Sequence, residues 1–119
     1  MAATVGEAGR VLDRGGRLCI CVAHPVTDLG NFIDETANAR FRVRRQYFET
    51  LRVEDTVHLD GLTMTFRGWT YSLEQYATAL ERDGLRIEAL REPRATGSAK
   101  KYQRWRDIPL FLNLRAVKS

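Results

Sequence analysis

The side chains that could carry chemistry here are few, and His24 stands first among them. It follows the apolar run Leu18-Cys19-Ile20-Cys21-Val22-Ala23 and precedes Pro25. An imidazole just past the end of a buried strand stands where open α/β sheets receive ligands. There it can act as a ligand or as an acid–base group; a capping or structural histidine is the alternative. Cys19 and Cys21 lie two apart, so they share one face of a strand. That spacing does not favour a disulfide, and two thiols alone do not make a metal site. Both read as small core residues of a reducing compartment. His58, among polar neighbours, reads as a solvent-facing cross-strand partner. Arg40, Arg42, Arg44 and Arg45 form the one basic cluster, in a chain whose 19 basic and 15 acidic residues leave a net charge of +4. This mild excess permits a nucleic-acid partner without arguing for one. A solvated loop, or a lid over an acidic ligand, accounts for the cluster equally simply.

The elements that must position these residues follow from pattern. At 119 residues, 44% hydrophobic and 29% charged, the chain suits one domain with a small core and is too apolar for disorder. No apolar run approaches the roughly 20 residues of a membrane span, and the N-terminus lacks a secretory pattern, so a cytoplasmic location is expected. Thr4-Val5-Gly6-Glu7 matches a capping box and predicts a helix over 4–14, with Val5, Ala8, Val11 and Leu12 on its buried face. Gly15-Gly16 ends it. The run 17–23 lacks alternation and predicts a strand covered on both faces. Residues 26–46 have no clean period and read as an irregular, lid-like excursion with one helical turn, Phe32 and Phe41 closing it apolarly. A hairpin is expected over 50–67, turning at Asp60-Gly61. Ser72-Leu73-Glu74-Gln75 is a second capping box. It opens a helix with Leu73, Tyr76, Ala77 and Leu80 on one stripe, closed by Gly84. Strands follow from Leu85, ending near Glu92-Pro93, and over 110–117, with a polar loop at 94–107 between them. They are expected to be antiparallel neighbours in an α/β domain.

Taken together, several segments resemble class I S-adenosylmethionine-dependent methyltransferases, of the small-molecule type. Glu7-Ala8-Gly9-Arg10-Val11-Leu12-Asp13-Arg14-Gly15-Gly16-Arg17-Leu18 is similar to their helix, glycine turn and fifth strand, with Asp13-Arg14 replacing the usual Arg-Pro. His24-Pro25, Tyr71-Ser72-Leu73-Glu74-Gln75-Tyr76, Ala79-Leu80-Glu81-Arg82-Asp83-Gly84-Leu85, Leu90-Arg91-Glu92-Pro93 and Ile108-Pro109-Leu110-Phe111-Leu112 follow in the family's order. The resemblance spans the chain and implies the C-terminal half of a Rossmann-like methyltransferase fold: its fifth, sixth and seventh strands with flanking helices, plus an added β-hairpin, as a single partial domain over 1–119.

The same resemblance implies the acceptor side of a small-molecule methyltransferase. His24, Arg67, Trp69, Tyr71 and Glu92 would border the acceptor, with His24 the candidate catalytic residue. Trp69 and Tyr71 would stack on an aromatic or cationic group, or else pack the hairpin against the second helix. The donor's glycine-rich loop and ribose-binding acid have no counterpart in residues 1–119, because Gly15-Gly16 follows a helix and precedes a strand. The expectation is therefore no cofactor-binding residue, no metal, no tight binding of S-adenosylmethionine and no activity alone. A non-catalytic oligomerisation or binding module derived from this fold is the alternative, and a basic RNA-binding module a third. An unpaired 18–23 strand predicts a homodimer, centred on Leu18–Ala23 or on Val5–Leu12.

Overall fold

The computed structural model describes residues 1–119, the side chain of Lys101 apart. Helix α1 (Ala2–Val11) leads through a glycine turn into strand β1 (Arg17–Ala23). A 3-10 turn (Thr27–Leu29) and two short strands, β2 (Gly30–Phe32) and β3 (Phe41–Val43), follow. Strands β4 (Arg52–Leu59) and β5 (Leu62–Trp69) form the hairpin, and helix α2 (Leu73–Arg82) and strand β6 (Leu85–Arg91) come next. A short helix α3 (Lys100–Gln103), a second 3-10 turn (Arg104–Arg106) and strand β7 (Phe111–Lys118) complete the chain.

The main sheet has the order β1-β7-β6, antiparallel throughout. Strand β7 is central because it is the most apolar face-on: Leu112, Leu114 and Ala116 are all buried. They pack against Val5 of α1 and Ala79 and Leu80 of α2, with Leu85 of β6. Burying these side chains drives the two helices onto one face of the sheet. The capping box of α2 is complete: Ser72 Oγ accepts from the Gln75 N–H, and Gln75 Oε1 accepts from the Ser72 N–H. Gly84 closes the helix at φ 69°, a left-handed value that glycine takes at no cost.

Four expectations are corrected. Helix α1 starts at Ala2, two residues before Thr4, so Thr4 is not its cap. Two alanines extend the helix upstream, and the Met1 carbonyl takes the Val5 N–H. Glu7 then pairs with Arg10 instead of closing a capping box. The helix also stops earlier, so Val11 is exposed. Strand β1 is not covered on both faces: Leu18, Ile20 and Val22 face the helices, whereas Cys19 and Cys21 are exposed. The helices reach only one side, which also removes the cysteines from the core. The 26–46 excursion is not irregular, since β2 and β3 pair as a small antiparallel sheet. The 94–107 loop contains α3 and a 3-10 turn.

The hairpin turns at Asp60-Gly61, both with positive φ, as a two-residue loop requires. Its polar face carries Glu54–Arg67, Thr56–Thr65 and His58–Thr63 as cross-strand pairs. Its other face carries Val57, Leu59, Leu62, Met64 and Phe66, all exposed. Among the described residues no helix is long and apolar enough to cross a membrane.

Candidate functional site

Beyond the carboxyl end of β1 the chain turns sharply at His24-Pro25, and the candidate site is built around that turn. His24 is only 2% exposed. Its backbone N–H donates to the Leu110 carbonyl, which continues the β1–β7 ladder by one step. Nδ1 accepts the Val26 N–H at 3.0 Å, so the ring proton sits on Nε2, which donates to Glu92 Oε1 at 2.9 Å. Thr27 Oγ1 donates to the Pro109 carbonyl at 2.7 Å. Three strand ends are thereby tied together: β1 through His24, β6 through Glu92, and the approach to β7 through Leu110 and Pro109.

A cavity of about 750 Å³ borders this turn, lined by Val22 and Ala23 of β1 and by Thr27 and Asp28 beyond it. Phe66 and Trp69 of β5, Tyr76 of α2 and Trp105 supply its aromatic surface, and Asp28, Glu54, Asp55, Arg44, Arg45 and Arg67 its charges. The neighbouring excursion is held by stacking. Phe32 meets Phe41 edge-on at 5.4 Å and Trp105 at 4.8 Å, with the Arg104 guanidinium 5.5 Å from the Phe32 ring centre. Gly30 is required there, because a Cβ would strike the Arg42 carbonyl across β2–β3. Tyr47 and Thr70 anchor the hairpin base: Tyr47 Oη accepts the Leu73 N–H, and Thr70 Oγ1 bridges the Leu51 N–H and the Glu49 carbonyl.

The electrostatics single out Asp28. Burial pushes its carboxyl above the usual carboxylate range, with Arg45 and His24 pulling the other way. Burial also raises the Tyr76 phenol, and the field of Asp28 adds to that. Arg67 is paired with Glu54 at 2.7 Å. Arg44 donates to Asn31 Oδ1 at 2.7 Å, and Arg45 to the Asp28 backbone carbonyl at 3.1 Å.

The structure thus brings two of the five expected site residues, Arg67 and Trp69, to the main cavity. Tyr71 instead meets Tyr76 edge-on at 5.9 Å and accepts a hydrogen bond from the Met1 ammonium. It lines a smaller apolar cavity of about 390 Å³ against α1 and β1, which Trp69 and Tyr76 share. His24 and Glu92 pair with each other and do not line either cavity. Asp28, Tyr76 and Trp105 were not singled out as site residues by sequence reasoning. Tyr76 sits on the helical stripe that reads as core, Asp28 is one acid among several in 26–46, and Trp105 lies in a polar segment. No group of three or more residues able to hold a metal occurs among the described residues.

No family model matches the sequence, and no curated protein does. Solved structures do. A protein assigned as an S-adenosylmethionine-dependent methyltransferase from Listeria monocytogenes matches all of this chain with 55% of its own, at a TM-score of 0.76 and 23% identity. An S-adenosylmethionine-dependent methyltransferase from Mesorhizobium loti matches 98% of it at a TM-score of 0.71 and 19% identity, using 54% of its own chain. The glycopeptide N-methyltransferase MtfA, bound to S-adenosylmethionine, gives 0.51 at 16% identity over 99% and 46% of the two chains. The chain therefore spans about half the length of the solved chains it matches. At these identities the likeness is one of fold: residues 1–119 take the α/β fold of half an S-adenosylmethionine-dependent methyltransferase.

Proposed function

We propose that this chain is the acceptor-side, C-terminal half of a cytoplasmic small-molecule methyltransferase that uses S-adenosylmethionine. The observation that carries the reading is the cavity at the carboxyl end of β1, where this class of fold receives its ligands. In methyl transfer the sulfonium donor carries the hard chemistry, and the protein's part is to orient the acceptor. Trp69 and Arg67 would do this here. His24 and Glu92 would hold the floor by tying β1 to β6. Residues 1–119 contain no strand followed by a glycine-rich loop at a helix start, so donor binding and turnover would need that half from elsewhere.

Calorimetry tests this. S-adenosylmethionine titrated into residues 1–119 should give no binding heat. A chimera in which residues 1–119 replace the matching half of the Listeria protein should bind it. Micromolar donor affinity of residues 1–119 alone would overturn the reading, as would a folded chimera that binds no donor.

A second reading is an oligomerisation module. It is favoured by the free outer edge of β1 and by the exposed apolar face of the hairpin. Under either reading the isolated chain would form a homodimer, through the Leu18–Ala23 edge or the Val5–Leu12 helix.

A further inference from the structure

The charges around the main cavity are unequally spent. Arg67 is neutralised by Glu54, whereas Arg44 and Arg45 keep their charge but spend hydrogen bonds on neutral acceptors, Asn31 Oδ1 and the Asp28 backbone carbonyl, and not on a carboxylate. Among the described residues, no hydrogen bond or ion pair reaches the Asp28 carboxylate. Arg45 and His24 act on it only through their fields. Asp28 is half-buried in the wall, and the exposed Asp55 of β4 adds negative charge on the same cavity. A half-buried carboxylate without a partner is costly unless an opposite charge comes to it. Four aromatic side chains, Phe66, Trp69, Tyr76 and Trp105, line the same cavity. Electron-rich ring faces beside an unpaired carboxylate favour a cation.

We propose that this cavity is a binding site for a protonated amine carried on an aromatic or apolar body, with Asp28 as its counter-ion. That the amine is the methyl acceptor rests on the function proposed above; its binding does not.

Both tryptophans of the chain line this cavity, so intrinsic fluorescence reports on its occupant. The probes are benzylamine, benzyl alcohol and benzoate, titrated into residues 1–119 at pH 7. Benzylamine should quench saturably and bind about tenfold more tightly than benzyl alcohol, with benzoate weakest, a tenfold step being about 1.4 kcal/mol. Asp28→Asn should remove the preference for benzylamine and leave benzyl alcohol unchanged, which also shows that the variant folds. If Asp28→Asn does not fold, the wild-type ranking decides. Benzoate binding as well as benzylamine, or no saturable quenching by any probe, overturns the site, as does an Asp28→Asn variant that keeps the preference. No donor enters this measurement, so the two proposals fail separately. Loss of the amine preference with a donor-binding chimera sinks the site alone. A retained preference with a chimera that binds no donor sinks the methyltransferase reading alone.

Discussion

Neither ring nitrogen of His24 is left for a substrate. Nδ1 takes a backbone N–H and Nε2 gives its proton to Glu92, in a pocket that excludes water from the ring. We therefore assign His24 a positioning role: it fixes the turn that carries Asp28 to the cavity. Removing it leaves a buried N–H at Val26 without an acceptor and opens a void. His24→Ala should lose about 1–3 kcal/mol of stability, the cost of an unmet buried hydrogen bond. Glu92→Gln should lose less, because the amide oxygen still accepts from Nε2. Urea midpoints of the two variants check this. A His24→Ala protein as stable as the parent would return His24 to the list of residues free to act on a ligand.

At the scale of elements, one carboxylate fastens three strands. Glu88 is the extra residue where β6 slips register against β7, between Ile87 and Ala89. The bulge points it over the open face of the sheet. There it accepts two hydrogen bonds from Arg17 of β1, each 2.9 Å, and pairs with Arg115 of β7 at 2.8 Å. The Arg17 hydrogen bonds, with the fields of both arginines, hold the Glu88 carboxyl down at about 2, well below its ordinary 4.5. A lowered folded pKa means that the folded state resists protonation. The stabilisation is complete above about 4.5 and is lost as pH falls through about 2. The urea midpoint of the parent should therefore drop more steeply than that of Glu88→Gln between these values, the two curves converging near pH 2. Parallel curves would mean that the bridge contributes nothing to stability at this exposed site.

At the scale of the molecule, the three-stranded main sheet has an open edge at β1. Strand β1 pairs with β7 on one side and with nothing on the other among the described residues. One face of the sheet is covered by α1 and α2, while Cys19, Cys21 and Arg115 lie open on the opposite face. Unpaired strand edges recruit other strands, and an exposed apolar hairpin face adds to the pull. Sedimentation equilibrium on residues 1–119 should give a species of twice 13.6 kDa. A lysine on the edge strand, Cys21→Lys, should shift it toward monomer by opposing strand addition. A single 13.6 kDa species at high protein concentration would sink the homodimer.

What was legible in the sequence was local. The Asp60-Gly61 turn, the capping box at Ser72, the closing Gly84 and the bounds of β1 depend on residues within a few positions of one another, and the structure has each of them. The ordered motifs likewise carried the fold of a half methyltransferase, because helix, glycine turn and strand follow one another along the chain. Burial was not legible, since it depends on which layers are present. An unbroken apolar run reads as a strand covered twice, yet only one helical layer packs on β1, so its cysteines face outward. The site was legible only in part for the same reason. Trp69 and Arg67 share a strand that a motif could mark, whereas Asp28, Tyr76 and Trp105 come from three separate segments. Only the packing of α2 and of the 3-10 turn at Trp105 beside the end of β1 brings a carboxylate and two more rings to the cavity that Trp69 lines. Which acid is left without a partner is set by where every arginine ends up, and that is decided in three dimensions.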